Sequence, residues 1–253
     1  MAKKFNIGFV GMSHLGLNYL AATSEKGFSV IGFDNDKDKI HKIKKRTLDL
    51  SEPNLWNLIN KNSNKIIFSD NFKNLKSCDL VFISQDIETD KKGKAKLIKL
   101  KKLINTAILN ISKNAILIIL SQVKPGFMRK IKFDKSRLYY QVETLVFGKA
   151  IERAINPERI IVGLFKTNSN IKSKYFSYLK KFSCPILKMK YESAELTKIS
   201  INILLASTIT STNLLAEVCE KVSADWQEVV PALQLDERIG KKSYLKPGLG
   251  ISG

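Results

Sequence analysis

Cysteine, arginine and acidic residues are all scarce in this sequence of 253 residues. The three cysteines, Cys78, Cys184 and Cys219, lie far apart, and no pair has the spacing of a zinc site or of a small disulfide framework. The sequence therefore predicts neither a disulfide-stapled fold nor a metal site, and it favours the reducing cytoplasm. Because 44% of the residues are hydrophobic, the chain can still bury a core, which excludes intrinsic disorder as its main state.

Long unbroken apolar runs are also missing. The longest, residues 115–120, is far shorter than the roughly 20 apolar residues that a membrane-spanning helix needs. The apolar stretch near the N-terminus is interrupted at Gly11, too early for the core of a signal peptide. We therefore expect no membrane partner.

Positive charge is in large excess, since 43 Lys and Arg face 23 Asp and Glu, for a formal net charge of +20. Such an excess is typical of nucleic-acid-binding proteins. Only six of the basic residues are Arg, the side chain best suited to forked contacts with phosphates and guanines. We therefore interpret the charge as a general lysine bias and expect no nucleic-acid partner. A nucleic-acid binder stays open as a hypothesis that the charge alone supports.

Apolar runs alternate with helical patterns over the first three quarters of the chain. An apolar run at 5–10 ends in glycine, a helical pattern covers 15–26, and a second run at 28–33 is followed at once by Asp34. This order is one βαβ unit. Further strands are predicted at 65–68, 80–84, 115–120, 159–164 and 185–189, and further helices at 37–46, 95–111 and 170–182. The sequence therefore predicts an α/β fold, with a Rossmann-type, doubly wound and mostly parallel sheet in residues 1–189.

The character of the chain changes after Tyr191. Neither Gly nor Pro occurs between Tyr191 and Val230, and apolar residues recur at intervals of three and four. This pattern predicts a long amphipathic helix and then a shorter one near 226–233. Because the apolar stripe of the long helix needs a cover, residues 190–253 are predicted to form a helical dimerisation segment and the protein a homodimer.

The turn after the first predicted strand reads Gly11-Met-Ser-His-Leu-Gly16. It matches the dinucleotide fingerprint G-x-G-x-x-G except that Ser13 replaces the middle glycine. Asp34 stands where an acid contacts the ribose 2′-hydroxyl, which favours NAD over NADP. A generic turn without a ligand is the alternative. We give His14 no chemistry of its own, as a loop residue, and expect His41 to be solvated. The predicted cofactor site consists of Gly11, Met12, Ser13, His14, Leu15, Gly16 and Asp34.

Further motifs in the right order make the sequence resemble the UDP-glucose/GDP-mannose dehydrogenase family from end to end. Residues 51–55 (SEPNL) resemble the family's "YEPGL", and residues 78–93 resemble "ADVIFIAVGTPTDEDG". Residues 121–126 (SQVKPG) resemble "STVPPG", and residues 142–160 resemble "PEFLREG…NPDRI". The clearest matches are residues 194–202 (AELTKISIN), 235–240 (LDERIG) and 245–250 (LKPGLG).

The resemblance implies an enzyme that oxidises the C6 hydroxymethyl group of a nucleotide sugar such as UDP-glucose to a carboxylate, with two reductions of NAD. It implies that Lys198, Asn202 and Glu143 are catalytic. Lys198 and Asn202 are four residues apart and would lie on one helix face, where a lysine and an amide can stabilise a developing alkoxide. Glu143 corresponds to an acid–base glutamate. The resemblance adds Lys39, Ser84 and Gln122 to the cofactor site, and it places Arg238, Tyr244, Leu245, Lys246, Gly248 and Gly250 at the sugar nucleotide.

Several positions depart from the family pattern. The family's nucleophilic cysteine follows the last glycine motif, where this sequence reads Gly250-Ile-Ser-Gly253. The resemblance therefore implies a chain that stops before this cysteine and before the C-terminal nucleotide-sugar domain, with impaired oxidation as the consequence. The alternative is a non-catalytic homologue or fragment that binds NAD and dimerises.

Overall fold

The computed structural model describes residues 5–92 and 95–248. The chain divides into two compact units, Met1–Leu196 and Thr197–Gly253, which we call the first and the second unit.

The first unit is built on one eight-stranded sheet with the spatial order β3-β2-β1-β4-β5-β6-β7-β8. Neighbouring strands run parallel except β6 and β7, which are antiparallel. The strands are β1 (Asn6–Val10), β2 (Ser29–Phe33), β3 (Ile66–Ser69), β4 (Leu80–Ile83), β5 (Ile116–Ile119), β6 (Leu138–Gln141), β7 (Ile160–Leu164) and β8 (Ile186–Lys190). The strand order reverses between β1 and β4, and the carboxyl ends of strands at such a reversal are the usual ligand-binding crevice.

Helices cover the sheet and continue into the second unit. They are α1 (His14–Glu25), α2 (Lys37–Lys45), α3 (Leu55–Lys61), α4 (Leu97–Asn110), α5 (Ala150–Ile155), α6 (Ser173–Lys180), α7 (Tyr191–Lys221) and α8 (Trp226–Leu235). Polar caps set two of the helix starts: Asp36 accepts a hydrogen bond from the N–H of Lys39 in α2, and Asp225 accepts one from Gln227 in α8.

Burial explains why the central strands are apolar without alternation. Every residue of β4 (LVFI) and β5 (ILII) is buried, because helices pack on both faces of a parallel sheet. One apolar core lies on each face of the sheet. On one face, Phe82 of β4 contacts the rings of Tyr175 and Tyr178 of α6, with centroids 6.2 and 5.2 Å apart.

The predicted fold class is confirmed, and each predicted strand is present within one or two residues of its predicted ends. The sequence analysis missed β6, α3 and α5, which are four, seven and six residues long. The helices α3 and α5 are too short to show a helical period, and β6 (LYYQ) lacks the aliphatic run that marks the equally short β4 and β5. The long helix predicted after Tyr191 is α7, with 31 residues.

The helix α7, several of whose apolar side chains are exposed, bears on two sequence-based predictions: the absence of a membrane partner and the homodimer. Among the described residues, α7 is the one helix long and apolar enough to cross a membrane, by length and composition alone. Threonine and serine interrupt the apolar residues of this helix, so it contains no long unbroken apolar run. The absence of a membrane partner therefore stays a prediction, as does the homodimer.

Candidate cofactor and catalytic site

Two glycines shape the turn between β1 and α1. Gly11 has φ +98°, a conformation that side chains disfavour, and its N–H donates to the carbonyl oxygen of Phe33 at 2.8 Å. A Cβ atom on Gly16 would lie 1.9 Å from the carbonyl oxygen of Gly11. Only glycine fits at this position, and the close contact lets α1 begin directly against the end of β1.

Ser13, at the middle position of the fingerprint, ties this turn to the end of β4. Its hydroxyl donates to the carbonyl oxygen of Ser84 and accepts from the N–H of Asp86, both at 3.0 Å. The buried Ser84 hydroxyl in turn reaches the carbonyl oxygen of Gly11 at 3.1 Å. Ser84, predicted at the cofactor, therefore lies beneath the turn and supports its backbone.

The carboxylate of Asp34, at the end of β2, is buried and heavily hydrogen-bonded. One oxygen accepts from the N–H of Met12 at 2.9 Å and from the ammonium of Lys39 at 2.8 Å, and the other accepts from the N–H of Asp36 at 3.1 Å. The structure thus brings together three residues that the sequence analysis assigned to the cofactor, Met12, Asp34 and Lys39. A fixed acid at this point fits the ribose hydroxyls of NAD.

A second carboxylate lies at the N-terminus of α1. Asp86 follows β4, and its side chain accepts from the N–H of Leu15 at 3.2 Å. The start of such a helix binds the pyrophosphate of a dinucleotide, because its free N–H groups and the helix dipole attract negative charge. Asp86 was not among the predicted residues, although its place at the carboxyl end of a central strand is a detectable signal.

His14 is a helix residue in the structure, which corrects its assignment to a loop. It is the first residue of α1, and its Nε2 lies 2.8 Å from Oε2 of Glu52. Its ring packs on Phe147 with the centroids 4.5 Å apart. His41 is exposed on α2, as expected.

Glu143 lies just beyond β6 on the segment that runs to α5. Its carboxylate accepts from the N–H of Leu145 at 3.0 Å. Burial, and after it the nearby Glu143 charge, raise the pKa of Tyr19 on α1. The predicted acid–base residue thus borders the same helix that begins at the cofactor turn.

Glu195, which the sequence analysis did not single out, anchors the segment that contains Gln122. It is fully buried, and it accepts from the N–H groups of Gly126 at 2.6 Å and Met128 at 2.7 Å. Burial raises the pKa of this carboxyl group, despite those hydrogen bonds. Gln122 itself is exposed.

In the second unit, Lys198 and Asn202 are both half-buried on α7, one helical turn apart. The i, i+4 spacing puts them on one face of the helix, as the sequence predicted.

The segment that precedes Gly248 is held against the helices of the second unit by side chains. Asn213 of α7 makes two hydrogen bonds to the backbone of Gly248, at 2.9 and 2.8 Å. Thr212 donates to the carbonyl oxygen of Tyr244, and Trp226 to that of Leu245. Leu245 is half-buried, whereas Lys246 is exposed. The second unit therefore presents these predicted substrate residues on a braced loop.

Two further residues, Arg238 and Gly250, were predicted at the sugar nucleotide. The exposed Arg238 forms an ion pair with Asp236 at 2.7 Å. Gly250 lies outside the described residues.

All three cysteines lie among the described residues, and their surroundings do not suit a nucleophile. Cys78 is buried, which raises the pKa of its thiol to about 12. Burial also raises the pKa of Cys184, and Cys219 is buried on α7. A reactive thiol is normally accessible and has a lowered pKa.

Comparison with known families agrees with this geometry. Residues 5–179 match the NAD-binding domain of the UDP-glucose/GDP-mannose dehydrogenase family, and residues 192–253 match its central domain. The chain belongs to this family. Its first unit therefore contains the family's NAD-binding domain, which confirms the predicted cofactor class.

Two relatives illustrate the range of similarity. The UDP-glucose 6-dehydrogenase TuaD of Bacillus subtilis is 29% identical over 259 residues, which cover 98% of this chain and 56% of that protein. An uncharacterized protein of Methanocaldococcus jannaschii is 32% identical over 259 residues, but the match covers only 29% of its length. The chain thus spans little more than half, or less, of these curated relatives.

Solved structures share the fold. A UDP-glucose dehydrogenase from Pyrobaculum islandicum superposes with a TM-score of 0.88 at 22% identity, over 100% of this chain and 61% of that one. A GDP-mannose dehydrogenase from Pseudomonas aeruginosa gives a TM-score of 0.83 at 21% identity, over 96% and 60% of the two chains. At these identities the likeness shows the fold alone.

Proposed function

We propose that this protein binds NAD at the turn of residues 11–16 and uses it to oxidise the C6 hydroxymethyl group of a nucleotide sugar of the UDP-glucose type. The observation that carries the proposal is the joining of the glycine turn to Asp34, whose carboxylate accepts the N–H of Met12 at 2.9 Å. This places an acid for the ribose beside a helix N-terminus for the pyrophosphate. Bound NAD would supply the acceptor for hydride from the sugar alcohol.

The chain's own residues would manage the proton and the developing charge. Glu143 takes the role of acid–base group for the hydroxyl proton. Lys198 places positive charge near the oxygen that becomes an alkoxide, and Asn202, one turn further on the same helix, orients that oxygen with a hydrogen bond. The supporting features are the family membership and the pairing of Lys198 with Asn202 on one face of α7.

The substrate would be held by the second unit, and a second copy of the chain is its proposed partner. Arg238, Tyr244, Leu245, Lys246, Gly248 and Gly250 are the residues assigned to the sugar nucleotide. Exposed apolar residues on α7 recur at intervals of 11 and 4, at Ile203, Leu214 and Val218, and so form a stripe that a homodimer would cover. The cytoplasm is the proposed location, as the free cysteines suggest.

Full oxidation to the acid needs a thiol to trap the aldehyde, by the family resemblance. The surroundings of Cys78, Cys184 and Cys219 do not suit that role. We therefore propose that residues 1–253 alone carry out at most the first oxidation, from alcohol to aldehyde, which releases one hydride and one proton per sugar.

The test incubates the 253-residue protein with NAD and a panel of UDP- and GDP-sugars and follows NADH by its absorbance. We expect no more than one NADH per sugar consumed, and loss of that signal in Lys198→Ala and Asn202→Ala. Lys221→Ala is the matched control, because Lys221 lies at the far end of the same helix, where it pairs with Glu217. Two NADH per sugar acid would refute the single-oxidation proposal. NAD binding without turnover of any sugar would favour the non-catalytic alternative.

A further inference from the structure

Glu52 connects two segments of the first unit. One is the turn of residues 11–16, which is proposed to bind NAD, and the other is residues 143–150, which contain the proposed acid–base residue Glu143. Glu52 belongs to the loop that precedes α3, and its side chain is only 1% exposed. One carboxylate oxygen accepts from the N–H of Ala150 at 2.8 Å. The other accepts from the N–H of Gly148 at 3.1 Å and lies 2.8 Å from Nε2 of His14.

The two segments meet through a ring contact as well. His14 is the fourth residue after β1 and the first residue of α1, so it moves with the cofactor turn. Its ring packs on Phe147, a residue between Glu143 and Gly148, at a centroid distance of 4.5 Å. His14 and Glu52 therefore contact the Glu143 segment, residues 143–150, at three points: two backbone amides and one aromatic ring.

The buried Glu52 carboxylate restrains the His14 ring and the amides of Gly148 and Ala150. An ionised group taken from water is stable only when hydrogen bonds replace its hydration, and loss of one partner leaves a buried charge uncompensated. A shift of His14 would therefore weaken the anchoring of Gly148 and Ala150, and opening of that segment would in turn release His14. Each of the two segments thus affects the stability of the other, and energetic coupling between two sites is reciprocal in this way.

We infer that Glu52 and His14 are positioning residues that couple cofactor binding at the turn of residues 11–16 to the ordering of the Glu143 segment. The inference rests on the proposed function. When NAD fixes the turn, His14 holds the Glu52 carboxylate, and the carboxylate holds the amides of Gly148 and Ala150. NAD binding thereby favours the form of the Glu143 segment in which Glu52 holds these two amides.

Hydrogen exchange followed by mass spectrometry tests this coupling without any need for turnover. Peptides that cover residues 11–18 and 144–153 are compared with and without saturating NAD. We expect NAD to slow exchange in both peptides of the native protein, by about fivefold or more in the second, the lower end of typical coupling between sites. In Glu52→Gln, which keeps the size of the side chain but removes the charge that faces His14, Gly148 and Ala150, NAD should still slow the first peptide and no longer the second.

Two further variants complete the design. Phe147→Leu, which removes the ring that packs on His14, should behave as Glu52→Gln does, and if Glu52→Gln fails to fold, Phe147→Leu alone still decides the matter. Glu25→Gln is the matched control, because Glu25 also joins α1 to the α3 region, through Lys61 and Asn62, but touches neither coupled segment. It should respond to NAD as the native protein does.

The outcomes separate this inference from the proposed function. Protection of residues 11–18 without protection of 144–153 in the native protein would overturn the coupling and leave NAD binding intact. Full protection of 144–153 by NAD in Glu52→Gln would overturn it equally. No protection of residues 11–18 at all would mean that NAD does not bind this turn, and the proposed function itself would fail.

Discussion

The carboxylate of Asp34 accepts a hydrogen bond from the backbone N–H of Met12 at 2.9 Å. This bond joins the end of β2 to the turn that follows β1, and the ammonium of Lys39 lies on the same oxygen at 2.8 Å. Two neighbouring parallel strands thereby present one negative charge at a fixed point beside the start of α1. We propose that the choice between NAD and NADP depends on this carboxylate.

Replacing Asp34 should change which dinucleotide is preferred. Asp34→Asn removes the charge that repels a 2′-phosphate and weakens the bond to the ribose hydroxyl of NAD. Since a hydrogen bond to a charged group contributes about 1.5–3 kcal/mol, NAD affinity should fall roughly ten- to a hundredfold, while affinity for NADP rises. Calorimetric titration with the two dinucleotides measures the ratio.

Asp36 offers the matched control, because it is an acid two residues away with a different task. Its side chain caps α2 through the N–H of Lys39 at 2.9 Å. Asp36→Ala should cost about 1 kcal/mol of stability, the usual value of such a cap, and leave the NAD-to-NADP ratio unchanged. An equal change of the ratio in both variants would show that Asp34 has no specific role.

Asp86 should compete with the cofactor pyrophosphate. Its carboxylate accepts from the N–H of Leu15 at the N-terminus of α1, at 3.2 Å. Asp86→Asn removes a negative charge from the place where the pyrophosphate must sit. Because a charge at a helix end contributes about 0.3–1 kcal/mol, NAD affinity should rise up to roughly fivefold. Binding of inorganic pyrophosphate should strengthen in parallel.

The control for that experiment is Glu88→Gln. Glu88 lies two residues further along the same loop, is exposed, and pairs with Lys96 and Lys99. Its removal should leave NAD affinity unchanged. If both variants bind NAD more tightly by the same factor, the effect comes from net charge in general and the assignment of Asp86 is wrong.

Gly16→Ala should abolish NAD binding while the protein still folds. The added methyl group would lie 1.9 Å from the carbonyl oxygen of Gly11 and 2.9 Å from the Ser84 hydroxyl, so the turn must move. Overpacking of this kind costs about 1–3 kcal/mol, which a domain of this size can survive. Thermal unfolding with and without NAD measures both effects: the variant should melt cooperatively at a lower temperature, with no stabilisation by NAD. A stabilisation equal to that of the native protein would contradict the turn's role.

Glu52 should stabilise the fold at neutral pH and lose that effect in acid. Burial raises the pKa of Glu52, but hydrogen bonds from His14 and from the amides of Ala150 and Gly148 outweigh it and lower the pKa below the ordinary 4.5. The folded state therefore binds fewer protons than the unfolded state. The stabilisation is fully present above the ordinary pKa and is lost as the pH falls through the lower folded value. Glu52→Gln should cost on the order of 3 kcal/mol at neutral pH, and the gap in Tm should close in acid.

Glu195 should behave in the opposite sense. Because burial raises its pKa above 4.5 in the folded protein, the folded state binds more protons than the unfolded state. Its stabilising contribution is therefore present below the ordinary pKa and is lost as the pH rises through the raised folded value. Tm profiles of Glu195→Gln and the native protein should converge toward low pH, where both side chains are neutral, and the native protein should lose stability relative to the variant as the pH rises. Parallel profiles over the whole range would contradict the assignment.

The first βαβ unit was predictable from sequence because each of its signals is local. The strands β1 and β2 are five residues long and mostly apolar, and Gly11, Gly16 and Asp34 mark the ends of the elements between and after them. By contrast, β6 (LYYQ) has no aliphatic run and is antiparallel to β7, a pairing that only the finished sheet specifies. Predictions from local pattern therefore fail where long-range pairing decides the structure.

Part of the candidate site was likewise predictable from the sequence, and the rest depends on contacts between residues far apart in the chain. The turn and Asp34 were predictable from spacing, whereas the contacts of Glu52 join it to residues nearly a hundred positions away, at Gly148 and Ala150. Ser13 was recognised as a departure from the fingerprint, but its hydrogen bond to Asp86, 73 positions away, required the fold. Lys198 and Asn202 follow from helix periodicity alone, and their catalytic roles stay predictions.

The most direct test of the account is calorimetric titration of the 253-residue protein with NAD, with the Gly16→Ala variant alongside. The account predicts saturable binding of one NAD per chain, tighter than that of NADP, and no binding to the variant. Absence of saturable NAD binding to the native protein, or equal binding to the variant, would contradict it.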